Sequence, residues 1–122
     1  MKALKILLLS LVMCGLVFSS VFAMGDVEKG KALFNDPKAF GGTAGKSCAS
    51  CHPDGKGLEK SGAKGKKEWK NPGGTWTSLE DANNVCIILA NKGTALDPKS
   101  EDMKNLVAYI KSIGKKGMKK AK

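Results

Sequence analysis

The amino-acid sequence predicts an all-α fold with three or more helices in one small domain. Apolar residues recur at helical spacing in separate segments, each preceded by residues that can cap a helix. No segment sustains the alternation of apolar and polar residues that is typical of a half-buried strand. The chain has 122 residues, and the first 23 resemble a leader that is removed. The remaining 99 residues are enough for one domain with a modest core.

The first 23 residues have the features of a secretory signal peptide. Two lysines precede an apolar run over residues 6–22, and Val-Phe-Ala at its end is a small-residue cleavage pattern. We expect cleavage after Ala23, a periplasmic protein with no integral membrane span, and a folded domain over residues 24–122. A retained membrane anchor is the alternative, because the apolar run approaches the roughly 18 residues that can span a bilayer.

A short first helix is predicted directly after the leader. Asp26 can cap its N-terminus, and Val27, Leu33 and Phe34 contribute an apolar side.

Residues 45–57, GKSCASCHPDGKG, contain the most informative motif in the chain. Cys48 and Cys51 are three positions apart, and His52, the chain's single histidine, follows directly. Zinc would need further ligands, and adjacent side chains such as Cys51 and His52 rarely converge on one tetrahedral ion. A dithiol redox site normally follows a strand in a βαβ unit, whereas a glycine-rich segment precedes Cys48. Cys-x-x-Cys-His is the attachment motif of haem c, so we expect one covalent haem on Cys48 and Cys51 with His52 as an axial ligand.

Residues 53–76 are rich in glycine and lysine and are predicted to form a long loop over one haem edge. Trp69 and Trp76 lie in this loop. Their indoles can cover the macrocycle or donate to a propionate, or they can simply fill the small core.

A second helix is predicted to start at TSLE, where Thr77 and Glu80 have the spacing of a capping box. It should run to about Asn91 and end at Gly93. Cys86 lies on this helix, on the face that carries Leu79, Ala82 and Leu89 and should point to the core.

The last helix is predicted to begin just after Pro98, with Glu101 and Asp102 in its first turn, and to end at Gly114. Its apolar residues recur at helical spacing: Met103, Leu106, Val107, Ile110 and Ile113.

With these elements in place, the sequence resembles a small bacterial monohaem cytochrome c of class I over nearly all of residues 24–122. GDVEKGKALF resembles the family's N-terminal helix, with Gly30 and Phe34 in its Gly-x-x-x-Phe/Tyr element. CASCH follows, and SEDMKNLVAYIKSI resembles the C-terminal helix with its characteristic Tyr109. The resemblance implies a class I cytochrome c-like fold around one covalent haem c, in which the two terminal helices cross at Gly30.

The second axial ligand is less evident. Class I cytochromes commonly use a methionine near a proline in the loop before the last helix, but that loop here reads NKGTALDPKS. Met103 is the nearest methionine, and its spacing is that of a core residue. Cys86 is the only thiol left once Cys48 and Cys51 carry haem and the leader is removed, although free cysteine is often just a small buried side chain. We favour Cys86 as the ligand, with Met103 as the alternative.

The segment NNVCIILANKGTALDPKSEDMKNLVAYIKSI also resembles His/Cys-ligated cytochromes. These include cytochrome domains of sulfur-oxidation enzymes and the purple heterodimeric cytochromes of anaerobic ammonium oxidisers. In those groups the cysteine before Gly-x-x-Leu is the distal ligand, which implies that role for Cys86.

The expected function is electron transfer at low potential rather than catalysis, because 99 residues leave little room for a substrate pocket. The alternatives are a cytochrome that binds or senses CO or NO and a haem subunit of a heteromeric complex.

The charge of the chain predicts its partners. The net charge is +10, or about +8 without the two leader lysines, and every basic residue is lysine. Lysines suit transient docking on an acidic surface of a redox partner, for instance a second cytochrome subunit. We expect no nucleic-acid partner, since arginine is absent.

Overall fold

The structure is a computed structural model that describes residues 25–120, with side chains described as far as residue 116. The expected signal peptide and its cleavage site after Ala23 lie outside the described residues. Four α-helices are present in the described part: α1 (Val27–Asn35), α2 (Cys48–Cys51), α3 (Leu79–Leu89) and α4 (Glu101–Lys120). A short hairpin, β1 (Trp69–Asn71) and β2 (Gly74–Trp76), precedes α3. The expectation of a mainly helical fold is confirmed.

The two terminal helices of the domain, α1 and α4, cross in close contact. Gly30 lies at the crossing point, where a Cβ atom would overlap the backbone carbonyl of Asn105 and crowd Cβ of Tyr109. One turn further along α1, the rings of Phe34 and Tyr109 pack edge to face with centroids 5.0 Å apart. The crossing at Gly30, which the resemblance implied, is therefore present.

A polar contact holds the start of α1 against α4. The Asp26 carboxylate caps α1 by accepting from the Lys29 backbone N–H at 2.9 Å. The backbone N–H of Asp26 donates in turn to Oδ1 of the buried Asn105 at 2.7 Å. This hydrogen bond and the close backbone approaches at Gly25 and Gly30 hold α1 in register with α4.

The apolar face of α4 forms the centre of the core. All five apolar positions that helical spacing predicted are buried: Met103, Leu106, Val107, Ile110 and Ile113. They pack against Phe34 of α1 and against Leu79 and Ile87 of α3. Met103 is fully buried, at 0% exposure, which confirms its predicted place in the core.

The predicted start of α3 is wrong by one residue. Ser78, not Thr77, is the N-cap, and its side chain accepts from the backbone N–H of Asp81 at 3.1 Å. Ser78 and Asp81 have the same spacing as Thr77 and Glu80, so the sequence offers two equivalent caps. The cap at Ser78 makes Leu79 the first helical residue, and Leu79 is buried in the core.

The predicted end of the last helix at Gly114 is also wrong, because α4 continues to Lys120. Gly114 serves packing instead: a Cβ atom there would overlap the backbone carbonyl of Glu59. A glycine at this position lets the loop after the haem motif approach α4 closely.

The segment expected as a continuous loop contains the hairpin. β1 and β2 pair antiparallel, with Trp69 opposite Trp76 and Asn71 opposite Gly74 across a Pro-Gly turn. Strands of three residues are too short to show an alternating pattern in the sequence. The indole N–H of Trp69 donates to the Ser61 carbonyl at 2.8 Å, and that of Trp76 donates to Oδ1 of Asn71 at 3.0 Å.

No helix within residues 25–120 combines the length and the apolar character that a membrane span requires.

The Gly30→Ala variant should be destabilised, because the new methyl group meets backbone atoms of α4 that no rotamer change can move. We expect the free energy of unfolding to fall by about 2 kcal/mol, even though alanine gains about 1 kcal/mol in helix propensity. Guanidinium chloride unfolding of the purified protein measures this. Lys31→Ala, on the exposed side of α1, is the control and should stay within about 0.5 kcal/mol of wild type. Equal stability of Gly30→Ala and wild type would contradict the close crossing.

Candidate haem site

The candidate site residues come together around one cavity. Cys48, Cys51, His52 and Cys86 all line a cavity of about 190 Å³, although Cys86 lies 34 positions beyond His52 in the sequence. Apolar core residues complete its wall, namely Phe34, Leu58, Leu106 and Ile110. A second cavity of about 510 Å³ shares His52 and Cys86 as lining residues. The volume of the larger cavity is within the range of small-molecule and cofactor sites in proteins.

The two thiols of the Cys-x-x-Cys motif lie on the single turn of α2. Ser47 precedes this turn, and its backbone N–H donates to Oγ of Ser50 at 3.0 Å. The turn closes with a hydrogen bond from the His52 backbone N–H to the Cys48 carbonyl at 3.0 Å. Residues three positions apart in a helix share a face, so the local helix points both cysteines in a similar direction.

The imidazole of His52 is oriented by a hydrogen bond to the backbone. Its Nδ1 lies 3.0 Å from the carbonyl oxygen of Lys56. A carbonyl only accepts, so Nδ1 carries the proton and donates, and Nε2 keeps a free lone pair for a metal. This is the arrangement that orients metal-ligating histidines in general.

A tight turn brings the Lys56 carbonyl back to the ring. The turn Pro53–Gly55 follows His52, and Gly55 has a left-handed φ of 78°. A Cβ atom on Gly55 would also overlap the Ile113 side chain. Glycine is thus required at this position both by backbone conformation and by packing.

Cys86 reaches the cavity from α3, and its surroundings are mostly apolar. Burial raises the pKa of the Cys86 thiol, and the nearby Cys51 sulfur raises it further. Burial likewise raises the pKa of Cys48 to about 11, with Cys86 as the next contribution. The thiols of Cys48 and Cys86 are therefore neutral at pH 7 without a cofactor, while a coordinated metal ion deprotonates a thiol.

Met103 does not line either of the two cavities. Its side chain is enclosed by the core, and its sulfur accepts a long hydrogen bond from Nδ2 of Asn83 at 3.8 Å. In the loop before α4, where class I cytochromes commonly carry methionine, Ala95 and Leu96 do not line either cavity. The Asn84 side chain bonds the backbone N–H and carbonyl of Leu96, both at 2.8 Å, and Leu96 packs against the core.

Three asparagines line the cavities without having been predicted from the sequence: Asn71, Asn83 and Asn91. Asn91, expected only near the end of a helix, is 2% exposed and lines the smaller cavity. Its Nδ2 has no hydrogen-bond partner among the described residues. Asn71 lines the larger cavity and lies 3.8 Å from the Cys86 sulfur. Asparagine is common in turns and helix ends, so no local sequence signal separates these three from the others.

The site fits a covalently attached haem. Two thiols on one helical turn suit two thioether bonds, the free Nε2 of His52 suits iron, and the apolar wall suits a macrocycle. The buried Nδ2 of Asn91, which makes no hydrogen bond of ordinary geometry among the described residues, is a donor that a bound group can use. When bound, haem supplies one-electron redox chemistry.

A Cys-x-x-Cys-His turn, combined with two terminal helices that cross in close contact, defines a c-type cytochrome. The family model of the SoxA/TsdA cytochrome c domain matches residues 29–119, and the chain belongs to this family. The expected class I-like fold, the haem c cofactor and a role in electron transfer are thereby confirmed. Comparisons with curated proteins and with solved structures gave no match.

Proposed function

We propose that this cytochrome carries electrons in the periplasm through one haem c attached to Cys48 and Cys51, with His52 and Cys86 as axial ligands. The observation that carries the proposal is the common cavity, which His52, both motif thiols and Cys86 all line. In this proposal the protein is an electron carrier and not itself an enzyme.

Cys86 is the better candidate for the second ligand on position and chemistry. It belongs to α3, an element separate from the haem motif, and lines both cavities together with His52. Sulfur is a soft ligand that suits haem iron, and Cys86 is the only such donor besides the two attachment thiols on these walls. Met103 would have to leave a fully buried core position to take its place.

Thiolate ligation has a consequence for the potential. An anionic sulfur stabilises the extra positive charge of ferric iron, whereas a neutral methionine sulfur favours the ferrous state. The protein is therefore a low-potential carrier in this proposal.

Lysine side chains support docking on an acidic partner. Each lysine whose side chain the structure describes is exposed. Three of them, Lys60, Lys66 and Lys70, line the larger cavity beside His52. Among the described side chains there is one ion pair, between Lys29 and Glu101, so most lysine charge is not neutralised within the protein. The redox partner we propose, for instance a second cytochrome subunit, presents carboxylates to this side.

The periplasmic location rests on the signal peptide pattern of residues 1–23 and on the family, whose members are typically periplasmic.

We predict that Cys48 and Cys51 carry the haem through thioether bonds. The mass of the denatured protein should exceed that of the polypeptide by one haem, and neither thiol should react with iodoacetamide. In His52→Ala the haem should stay attached while the low-spin absorption spectrum is lost, because the attachment and the ligation use different residues. Free thiols together with bound zinc would contradict this assignment.

We predict that Cys86 is the thiolate ligand of ferric iron. The ferric protein should show low-spin thiolate spectra and lack the weak near-infrared band of methionine-to-iron charge transfer. Cys86→Ala should lose the thiolate spectrum and bind CO faster after reduction, and Cys86→Met should raise the reduction potential if its sulfur reaches the iron. Rapid CO binding by the reduced wild type would instead favour the gas-binding alternative.

Met103→Leu is the matched control for these variants. It should keep the wild-type spectrum and lose under about 1.5 kcal/mol of stability, as a near-isosteric core swap does. Loss of the low-spin spectrum in Met103→Leu, with Cys86→Ala unchanged, would reverse the ligand assignment.

We predict that electron transfer with an anionic reagent is salt-dependent. The rate of oxidation by ferricyanide should fall as ionic strength rises from 0.01 to 0.1 M, because the Debye length shortens from about 30 to about 10 Å. Changing Lys60, Lys66 and Lys70 together to glutamine should slow the reaction and flatten this dependence. The same change at Lys31, Lys38 and Lys104 removes equal charge away from the two cavities and should have a smaller effect. Equal effects of the two triple variants would show that net charge, and not a docking site, controls the rate.

A further inference from the structure

Asn71 connects the hairpin to the helix that carries Cys86. It is the last residue of β1, and its side chain makes four hydrogen bonds. Oδ1 accepts from the Gly73 backbone N–H at 2.9 Å and from the Trp76 indole N–H at 3.0 Å. Nδ2 donates to the Ala82 carbonyl at 3.0 Å and to the Cys86 sulfur at 3.8 Å.

The orientation of this amide follows from its partners. A backbone N–H and an indole N–H can only donate, so the atom that faces Gly73 and Trp76 must be the oxygen. A carbonyl can only accept, so the amino group must face Ala82. A flipped amide would break three of the four contacts, and an N–H is therefore directed to the Cys86 sulfur.

Helix geometry explains why one amino group reaches both acceptors. Ala82 and Cys86 are four positions apart on α3 and so lie one above the other on the same face. The shorter bond to Ala82 anchors the amide, and its second hydrogen is then available to the sulfur. The Oδ1 bonds hold the same amide from the hairpin side, so the donor cannot move without opening the turn.

We propose that Asn71 is a positioning residue that donates a hydrogen bond to the Cys86 thiolate and raises the reduction potential of the haem. This inference rests on the proposed ligation of iron by Cys86. A hydrogen bond to a charged acceptor is stronger than one to a neutral acceptor, and hydrogen bonds to ligand sulfurs tune metal potentials.

The sign of the effect follows from charge. Ferrous iron draws less electron density from the sulfur than ferric iron does, so the thiolate is more negative in the reduced state. The N–H donor then stabilises the ferrous state more than the ferric state. Asn71 thus offsets part of the decrease in potential that a thiolate ligand causes.

Two substitutions at Asn71 and one control test this role in the intact haem protein. Asn71→Asp retains oxygens for Gly73 and Trp76 but loses the N–H donor. Asn71→Leu removes the donor without adding charge. Trp76→Phe breaks a bond to Oδ1 of the same residue and leaves the donor to sulfur in place.

The measurements are the reduction potential and the iron–sulfur stretching frequency by resonance Raman. In both Asn71 variants we expect the ferric form to be favoured by about tenfold, which is a decrease of about 59 mV for one electron. The stretching frequency should rise, since the sulfur donates more strongly to iron, and the shift that deuterium oxide causes in wild type should disappear. If Asn71→Leu yields no haem protein, the loss of the deuterium shift in Asn71→Asp decides, because the added negative charge of Asp lowers the potential by itself.

The outcomes separate this inference from the ligand assignment. If the Asn71 variants keep the wild-type potential and stretching frequency, the role of Asn71 is overturned. If at the same time only Cys86→Ala loses the thiolate spectrum, Cys86 remains the ligand. A wild-type spectrum in Cys86→Ala would overturn both proposals. Equal shifts in Trp76→Phe and the Asn71 variants would also overturn the inference, because the cause would then be displacement of the hairpin.

Discussion

The close crossing of α1 and α4 at Gly30 is the constraint on which the rest of the structure depends. Without a side chain at Gly30 the two helix backbones touch, and this contact sets Phe34 of α1 beside Leu106 and Ile110 of α4. The same three side chains wall the cavity that the haem motif faces. The packing of the terminal helices and the shape of the cavity thus depend on the same side chains. A change in the helix crossing would therefore also change the cavity.

Hydrogen bonds from asparagine side chains hold helices, loops and the hairpin of this domain together. Asn105 holds the start of α1, Asn84 holds the loop before α4, and Asn71 holds the hairpin against α3. An amide can both donate and accept, as those of Asn71 and Asn84 do, so a single residue can satisfy two backbone groups or join a loop to a helix. In a chain with many irregular segments, such links define loop positions that apolar contacts alone would leave loose.

The cavity at the centre of the protein connects cofactor binding with stability. Leu106 and Ile110 lie in the core and also line the cavity, so the haem that fills it completes apolar contacts of the core. A domain of this size buries a limited apolar area by itself, and a group that binds only the folded state stabilises it. The covalent bonds to the motif keep that group in place in both oxidation states.

Much of the fold and most of the site were determined by the sequence alone, because both rest on local patterns. Helical spacing predicted the five apolar core positions of α4 but not the buried Asn105, and it wrongly placed Leu89 of α3 on the core face, where Leu89 is half exposed. Cys-x-x-Cys-His predicted the haem motif, since three residues within five positions carry that chemistry. Tertiary contacts favour Ser78 over Thr77 as the cap, because Leu79 is buried, and they hold the hairpin, because Asn71 bonds α3. Gly114 does not end α4, and its lack of a side chain accommodates the Glu59 carbonyl, which lies on a distant loop. Tertiary structure also brings Cys86 to the same cavities as His52 and keeps Met103 out of their walls. It likewise places the N–H of Asn71 at the Cys86 sulfur. These arrangements join residues far apart in the chain, and only the packing of α3 against the hairpin and α4 sets their distances.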